Sequence, residues 1–323
     1  MELSVIIVNY RGWSKLRECL SSLLKDDGPG AGIEIIVSDN CSADGNLAGF
    51  SAEFPSVKFV ENIHNGGFAY GCNRGAAAAS GSYFLFLNPD TIASKDSVHQ
   101  LLEKGSSAAA NSLSSCYQVD GKGKESIAYG RFITPFTLTG SMRLITRLAG
   151  AQGTMKYTGD IMKPDWVSGS VMFIRREYFY ELGGFDEDFW MYFEDMDLCR
   201  RIRNSGGEIL YHRGISIIHS HGGSSRINVK TTALTKTEVL VSKHLYVAKH
   251  FSGAERFVSQ FFLVVNNLLC YLVAAVVGLI LFFIPSLNAR SRIFVNLVAY
   301  YAGSLARGTW KSRRSVSASQ GIS

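Results

Sequence analysis

The chain has 323 residues, a formal net charge of +6 and 46% hydrophobic residues, which suffices for one large α/β domain with an appendage or for two small domains. Its six cysteines include no C-x-x-C pair and no ladder of short spacings, which argues against a zinc site and a disulfide framework. The surplus basic residues flank an apolar tract late in the sequence, a pattern typical of proteins at a membrane surface rather than on nucleic acid.

The first hundred residues predict alternating strands and helices. The strands are Leu3–Val8, Ile33–Val37, Val57–Val60 and the run from Tyr83 that stops at Asn88-Pro89-Asp90, and the helices are Trp13–Leu24 and Phe68–Ala79. The alternation predicts an α/β fold with a mainly parallel central sheet and helices on both faces. The first residues, MELSVIIVNYR, contain no basic region before the apolar run, and that run is very short. We therefore expect a first strand and not a signal peptide.

Residues 105–165 have weak periodicity and many Ser, Gly, Thr and Lys residues, so we treat them as a variable insert in a domain of residues 1–226. Beyond it the predicted elements are a strand at Trp166–Ile174, helices at Arg176–Leu182 and Asp195–Asn204, and short strands at Ile209–His212 and Ile215–Ile218.

A basic helical connector is predicted over residues 227–258 and a membrane-associated helical region over residues 259–323. Phe261–Ile284 is free of charge over 24 residues, and about 20 apolar residues span a bilayer core. A buried core helix is the alternative. Ile293–Ala306 is short for a crossing, so it is expected to lie in the interface or to form half of a hairpin. We expect the folded part to lie on the cytoplasmic face of the membrane.

Asp90 is predicted to project from the rim of the sheet. Pro89 cannot continue a central strand, so the strand ends there and delivers one carboxylate to the edge where open α/β sheets bind ligands. Mg²⁺ and Mn²⁺ are held by one or two protein carboxylates plus substrate phosphates, so Asp90 suffices as the protein's main ligand. A capping residue is the alternative.

Three further polar clusters follow predicted strands or begin a helix. Asp39-Asn40 could bind a nucleobase or ribose, or form an Asx-type turn. Glu194-Asp195 could supply a general base, or form an acidic first helical turn together with Asp197. His219 could bind a metal ion or be a core histidine, and Gly222-Gly223-Ser224-Ser225 would let backbone approach a diphosphate.

Seven segments together resemble the inverting glycosyltransferases of family 2, specifically the branch of rhamnosyltransferases that act on lipid-linked acceptors. They are SVIIVNY, VSDNCSADG, NGGFAYGCNRG, FLFLNPDT, WVSGSVMFIRRE, GGFDEDFWMYFEDMDLCRRIRNSGG and IIHSHGGSS. The resemblance covers Met1 to about Arg226, with a gap over the insert. It implies a GT-A fold, a nucleotide-sugar donor, and Mg²⁺ or Mn²⁺ bound at Asp90 with help from His219.

The resemblance also implies roles for individual residues. Asp195 would be the catalytic base, with Glu194 supporting the acceptor site, and Asp39 would read the nucleobase. Asn88 stands where many relatives carry a first Asp. The implied donor-binding residues are Val8, Tyr10, Asp39, Asn40, Asn65, Gly67, Asn73, Arg74 and Asn88, and the implied acceptor-binding residues are Trp166, Gly169, Tyr192 and Glu194.

The expected reaction is a single in-line displacement that moves a sugar, L-rhamnose from dTDP-rhamnose by the branch resemblance, to a hydroxyl of a polyprenyl-linked saccharide in cell-envelope polysaccharide synthesis. UDP-sugar donors of galactofuranose, glucose or N-acetylhexosamine are alternatives. A nucleotidyltransferase should carry a longer Gly-rich basic loop than Asn9-Tyr10-Arg11-Gly12 after its first strand. A non-catalytic, membrane-tethered binding module would have no need of Asp90, Glu194, Asp195 and His219 together.

Overall fold

The computed structural model describes residues 1–25, 30–149, 159–220, 228–281, 283 and 285–316. The chain divides into two compact units. The first comprises Met1–Phe132, Tyr157–Glu187 and Glu194–Ser224, and the second comprises Ile133–Lys156, Asp188–Phe193 and Ser225–Ser323. The segment Gly222-Gly223-Ser224-Ser225, expected near a diphosphate, lies outside the described residues.

The described part of the first unit has eleven strands, nine of which form one sheet. The strands are β1 (Leu3–Asn9), β2 (Ile33–Asp39), β3 (Val57–Glu61), β4 (Tyr83–Leu87), β5 (Thr91–Ile92), β6 (Ser112–Val119), β7 (Tyr129–Gly130), β8 (Ile161–Met162), β9 (Trp166–Val167), β10 (Val171–Arg175) and β11 (Glu208–His219). The sheet order is β3-β2-β1-β4-β10-β6-β11-β5, with β8 on β11, and β7 pairs with β9 separately.

Most of this sheet runs in one direction. Strands β3, β2, β1 and β4 are mutually parallel. Strand β10 is antiparallel to both of its neighbours, β4 and β6, so β6 runs in the same direction as β4. Strand β11 is parallel to β6 and therefore shares this direction. Only β10, β5 and β8 of the described strands oppose them. The mainly parallel α/β sheet is therefore as predicted, and the carboxyl ends of its six parallel strands lie along one edge.

Helices cover both faces of the sheet. The helices of the first unit are α1 (Trp13–Leu23), α2 (Asn46–Glu53), α3 (Phe68–Ala77), α4 (Lys95–Ser106), α6 (Arg176–Glu181) and α7 (Glu194–Asn204), and those of the second unit are α5 (Gly140–Leu148), α8 (Val229–His250), α9 (Gly253–Ile280) and α10 (Pro285–Arg307). Alternate β1 residues belong to different cores: Val5 and Ile7 pack on the α1 side, whereas Ile6 and Val8 pack on the α3 side. Both faces of the sheet are thus buried.

Helix α3 lies unusually close to β1 because two of its residues lack a side chain. A Cβ atom at Gly71 would stand 2.6 Å from the nearest methyl carbon of Val8, and one at Gly75 would stand 2.5 Å from a methyl carbon of Ile6. A Cβ atom would clash at either distance, so only glycine permits the helix and the strand to pack this closely. The amino end of α3 is thereby held beside the carboxyl ends of β1 and β2.

The sequence-based boundaries of the insert need correction. Residues 105–165 were expected to be a variable insert, but β6 lies inside that range and is a buried strand between β10 and β11. The two predicted strands at Ile209–His212 and Ile215–Ile218 are one strand, β11, with a register irregularity between His212 and Ser216. Residues 150–158 of the insert lie outside the described residues.

The second unit contains α5, α8, α9 and α10. Within the described part of the chain, one helix is long and apolar enough to cross a membrane, over Gly253–Gly278, and 17% of its most apolar stretch is buried. The alternative, a core helix of a soluble protein, would be mostly buried. The low burial of this helix argues against that alternative. The domain boundaries at residues 226 and 258 remain predictions, although residues 133–156 and 188–193 also belong to this unit.

Candidate active site

Polar side chains end five strands of the first unit along one edge of the sheet. Asn9 and Asp39 are the last residues of β1 and β2, Asn88 follows β4, Gln118 lies near the end of β6, and His219 ends β11. Because these strands run in the same direction, the fold brings the five residues to a common rim, where doubly wound sheets bind ligands. The predicted convergence of Asp39, Asn88 and His219 on this rim agrees with the topology.

Asp39 anchors the loops that follow β1 and β2. Its Oδ1 accepts hydrogen bonds from Asn9 Nδ2 at 2.8 Å and from Ser42 Oγ at 2.6 Å, and its Oδ2 accepts one from the Ser42 amide at 2.8 Å. The side chain is 1% exposed. The carboxylate therefore fixes the two loops internally, and its nucleobase role stays a prediction.

These two loops also hold unusual backbone conformations. Arg11, Cys41 and Ala43 have positive φ angles of 55°, 58° and 48°. Non-glycine residues adopt this region at an energetic cost and cluster at functional sites. The only other described non-glycine residues with positive φ are Tyr192 and Phe193, immediately before Glu194. All five therefore flank residues predicted to bind substrate or to catalyse.

Asn40 connects β2 to the amino end of α3. Its Nδ2 donates to the Gly67 carbonyl at 2.7 Å, and its Oδ1 accepts from Asn62 Nδ2 at 2.8 Å. Gly67 has φ of 93°, which suits glycine, and its amide donates to Asn65 Oδ1 at 3.1 Å. Asn40, Asn65 and Gly67 thus form one hydrogen-bonded polar segment at the rim, and their donor-binding role stays a prediction.

The other implied donor-binding residues differ in their surroundings. Val8 is buried in the core, while Tyr10 is 42% exposed with Arg11 over its ring. Arg74 is exposed at the end of α3. Asn73 is fully engaged: its amide donates to the Phe185 carbonyl and to Glu187 Oε1, and its oxygen accepts from the Phe185 amide. Its contacts fix residues 185–187, and its donor role remains a prediction.

Asp90 and His219 meet although they are far apart in sequence. Strand β5 pairs with the end of β11, placing Thr91 opposite His219, and the Ser220 amide donates to the Asp90 carbonyl at 2.9 Å. Asp90 Oδ1 lies 3.2 Å from His219 Nε2. The pairing of the predicted metal residues is thus a direct result of the strand register.

Gln118 orients the His219 ring. His219 Nδ1 lies 3.0 Å from Gln118 Oε1, and this oxygen also accepts a hydrogen bond from Ser170 Oγ at 2.8 Å. An amide oxygen can only accept, so His219 Nδ1 carries the proton of this hydrogen bond and Nε2 is the ring atom that faces Asp90. Asn88 Nδ2 lies 3.4 Å from the same Nε2.

One carboxylate oxygen and one imidazole nitrogen fit a divalent cation. Both are ligands for Mg²⁺ or Mn²⁺, and a hydrogen-bonded partner on the second ring nitrogen is the usual arrangement for a metal-bound histidine. No group of three or more His, Cys, Asp or Glu residues suitable for a metal occurs in the described part of the chain. Asp90 and His219 would therefore hold the ion together with ligands supplied by the substrate.

The segment Ser168–Ser170, between β9 and β10, joins the two halves of the site. The Ser170 carbonyl accepts from the Asn88 amide at 3.0 Å, and its hydroxyl donates to Gln118. The Gly169 amide donates to Asp195 Oδ2 at 3.0 Å. Because this segment contacts both the Asp90 side and Asp195, it fixes the predicted metal site relative to the predicted base.

Glu194 and Asp195 are neighbouring acids with different environments. Glu194 is 5% exposed, its Oε2 has no hydrogen-bond partner in the described residues, and burial together with the Asp195 charge raises its pKa well above 4.5. Burial also raises the pKa of Asp195, but Asp195 is partly exposed and accepts hydrogen bonds from the Gly169 and Met196 amides. The pKa of Glu194 is therefore raised more than that of Asp195, so Glu194 holds its proton to a higher pH than Asp195 does.

The remaining acceptor-binding predictions lie in both units. Trp166 Nε1 donates to the Arg131 carbonyl at 3.0 Å, and Gly169 lies against Phe68 and Asp195. Tyr192 belongs to the second unit, where its side chain is 39% exposed. The acceptor role of all three stays a prediction.

Four residues of the site did not come from the sequence. Asn9 and Ser42 hold Asp39, Gln118 holds His219, and Ser170 donates a hydrogen bond to Gln118. Asn9, Ser42 and Ser170 lie inside the segments SVIIVNY, VSDNCSADG and WVSGSVMFIRRE that carried the resemblance, so the signal was present. Gln118 lies in the range assigned to the insert, where no periodicity identified a strand.

The sequence profile described as glycosyl transferase family 2 matches residues 4–183, more than half of the chain. The chain belongs to glycosyl transferase family 2. A second profile, described as the N-terminal domain of galactosyltransferase, matches residues 161–221. Together the two matches include every rim residue described above, and the family resemblance inferred from the sequence is confirmed.

Two curated relatives of this family 2 member are rhamnosyltransferases. The N-acetylglucosaminyl-diphospho-decaprenol L-rhamnosyltransferase of Mycobacterium tuberculosis is 26% identical over 243 residues, which are 69% of this chain and 77% of that protein. The rhamnosyltransferase WbbL of Escherichia coli K12 is 25% identical over 225 residues, 67% of this chain and 82% of that protein.

Solved structures confirm the fold. The mannosyltransferase PcManGT of Pyrobaculum calidifontis, solved with GDP-Man and Mn²⁺, has a TM-score of 0.53 at 16% identity and covers 94% of this chain and 87% of its own. GalNAc-T7, solved with UDP, GalNAc and Mn²⁺, has a TM-score of 0.54 at 19% identity and covers 77% of this chain and 50% of its own. The predicted GT-A fold is therefore correct.

Proposed function

We propose that this family 2 member is an inverting glycosyltransferase that transfers L-rhamnose from dTDP-rhamnose to a hydroxyl of a lipid-linked saccharide during cell-envelope polysaccharide synthesis. One arrangement carries the proposal: Asp195 and the Asp90–His219 pair are held on one rim by the same segment, Ser168–Ser170. The rhamnosyltransferase relatives support the sugar and the class of acceptor.

In this reaction Asp195 takes the proton from the acceptor hydroxyl while the oxygen attacks the anomeric carbon. The bond from that carbon to the diphosphate oxygen breaks in the same step, its electron pair leaves with the nucleoside diphosphate, and the configuration inverts. An elevated pKa makes Asp195 a stronger base than an exposed aspartate, and the two amide donors keep it ionised and oriented. Protonated Glu194 adds no competing charge beside it.

The opposite end of the site suits the nucleoside diphosphate. Asp90 and His219 would hold Mg²⁺ or Mn²⁺, which when bound supplies positive charge for the departing diphosphate. Asn40, Asn65 and Gly67 form the polar segment next to β2, with the exposed ring of Tyr10 available for stacking on a base. Asn88, whose Nδ2 lies 3.4 Å from His219 Nε2, would be a neutral neighbour of such an ion rather than a second carboxylate.

A UDP-sugar donor is the second candidate. The match of residues 161–221 to the galactosyltransferase profile supports it, because this range includes Gly169, Asp195 and His219. Both candidates use the same base and the same metal residues, and they differ in the donor. A nucleotidyltransferase would have no use for Asp195 as a base toward a sugar hydroxyl.

We place the reaction at the cytoplasmic face of the membrane. The exposed apolar helix over Gly253–Gly278 would hold the protein at the leaflet where a polyprenyl-linked saccharide presents its hydroxyl. Basic residues on both sides of this helix suit anionic lipid headgroups.

The proposal is tested with purified full-length protein, Mg²⁺ or Mn²⁺, and dTDP-rhamnose, UDP-glucose, UDP-galactofuranose or UDP-N-acetylglucosamine, each with and without a polyprenyl diphosphate carrying N-acetylglucosamine. We expect dTDP release that depends on the lipid and a product extended by one rhamnose. UDP release instead would favour the second candidate. Absence of nucleoside diphosphate release from every donor would contradict both.

A further inference from the structure

The second unit contains a cavity of about 380 Å³ at the meeting point of four helices. Its walls come from the amino end of α5 and from α8, α9 and α10. The residues that line it are Leu138, Thr139, Gly140, Arg143, Lys236, Leu240, Lys243, Asn266, Asn267, Cys270, Tyr271, Ala274, Arg290 and Ile293. This volume falls within the range of small-ligand sites in proteins.

The charges of this cavity are all of one sign. Arg143, Lys236, Lys243 and Arg290 line it, and no Asp or Glu does. None of the four forms an ion pair with a carboxylate in the described residues. Four cations around one cavity repel one another, and this repulsion is unfavourable. An anion bound between them would attract all four and offset the repulsion.

Lys243 shows this imbalance most clearly. It is partly buried, and its Nζ donates to the Leu138 carbonyl at 3.0 Å. Burial, together with the nearby charge of Arg143, lowers the pKa of Lys243 to about 8. A bound anion would raise the pKa of Lys243 again, because it would replace the lost solvation of the ammonium group and offset the charge of Arg143.

The cavity opens beside apolar surface. Asn266, Cys270 and Ala274 recur at four-residue spacing on the face of α9 that lines the cavity. Neighbouring positions of α9 are apolar and exposed, including Leu269 and Val273 at 58% and 64%. An anion with an attached hydrocarbon chain could therefore place its charge among the cations and its chain along the helix.

We propose that this cavity binds the phosphate headgroup of a membrane lipid. Basic pockets between helices at a membrane surface recognise such headgroups, and Arg143 and Arg290 can each form paired hydrogen bonds with phosphate oxygens. A polyprenyl diphosphate and an anionic phospholipid share this chemistry. Free phosphate offers the same anionic oxygens but cannot use the apolar surface of α9. The site is independent of the rim chemistry of the first unit.

The proposal is tested by calorimetric titration of the full-length protein in neutral detergent with geranylgeranyl diphosphate, short-chain phosphatidylglycerol, geranylgeraniol and inorganic pyrophosphate. We expect at least one of the two phosphate-bearing lipids to bind, the alcohol not to bind, and pyrophosphate to bind about tenfold more weakly or worse, equivalent to about 1.4 kcal/mol. Which lipid binds identifies the source of the phosphate. Equal affinity for pyrophosphate, or no binding of either lipid, would refute the proposal.

Arg290→Gln and Arg292→Gln form a matched pair on α10. Both side chains are exposed, so neither change should disturb folding, but only Arg290 lines the cavity. We expect Arg290→Gln to weaken lipid binding about tenfold, or about 1.4 kcal/mol, and Arg292→Gln to leave it unchanged. Equal effects of the two substitutions would show that general surface charge and not the cavity attracts the lipid. Since the readout is binding, a negative result leaves the proposed transfer reaction untouched.

Discussion

Replacing Glu194 with glutamine should make the protein less sensitive to rising pH. Glu194 is buried, its Oε2 has no hydrogen-bond partner among the described residues, and burial with the Asp195 charge raises its pKa. Glutamine has nearly the same shape as the protonated acid and never ionises. Glu194→Gln therefore imitates the state that the folded protein prefers and removes the proton equilibrium that links folding to pH.

The magnitude follows from one proton. Above the unfolded pKa of about 4.3, the unfolded chain has released the Glu194 proton while the folded chain still holds it. The stabilising contribution of the raised pKa is thus complete below the unfolded pKa and declines as pH rises toward the folded pKa. In that window wild type should lose stability relative to Glu194→Gln by up to about 1.4 kcal/mol per pH unit.

The assay is urea unfolding of both proteins in the same detergent, followed by tryptophan fluorescence between about pH 5 and pH 7. Glu181→Gln is the matched control, because Glu181 is exposed at the end of α6 and its replacement should give a difference that does not change with pH. A constant difference between wild type and Glu194→Gln across this range would mean that folded Glu194 is ionised. Our assignment of the proton to Glu194 would then be wrong.

Three other substitutions separate catalytic from structural roles. Asp90→Ala should lower transfer about 100-fold or more, because the divalent ion would lose the one carboxylate proposed to hold it, while the unfolding midpoint stays near that of wild type. Gln118→Met should weaken the apparent Mn²⁺ affinity by about 10- to 100-fold, because His219 would lose the acceptor that orients its ring. Gln118→Glu keeps an acceptor and should bind Mn²⁺ about as tightly as wild type. Equal affinities in the two variants would contradict this role of Gln118. Asp197→Ala should lower the unfolding free energy by about 3 kcal/mol, because it removes the buried carboxylate 2.8 Å from Arg201 Nε, yet the folded fraction should retain its turnover.

The sequence was most informative where hydrophobic periodicity and strand ends coincide. Strand β4 is a continuous apolar run that stops at Pro89, so both the strand and the rim position of Asp90 could be predicted. The same holds for Asp39 at the end of β2 and for Asp195 at the start of α7. In these segments the local pattern and the tertiary fold require the same structure.

Strand β6 was missed because its buried residues are polar. Ser112, Ser114 and Ser115 interrupt the apolar pattern, yet each is buried and hydrogen-bonded, for example Ser115 Oγ to the Val171 carbonyl at 2.7 Å. Burial of a hydroxyl is tolerated when a partner is present, and for Ser114 and Ser115 that partner lies on a strand distant in sequence. Gln118 could not be recognised as a site residue until its strand was.

The pairing of Asp90 with His219 was predicted as a function but not as a geometry. It depends on β5, which has two residues and therefore no periodicity to detect. Likewise, the left-handed backbone at Arg11, Cys41 and Ala43 has no compositional signal, since glycine is the residue that usually marks it. Both features are set by tertiary contacts.

The most direct test of the central claim compares Asp195→Asn with wild type in rhamnose transfer from dTDP-rhamnose to a lipid-linked acceptor. Asparagine keeps the shape of Asp195 and one of its two acceptor oxygens but cannot take a proton. We predict that turnover falls by about 10²- to 10⁴-fold while donor binding changes little. Undiminished turnover in Asp195→Asn would contradict the assignment of Asp195 as the catalytic base.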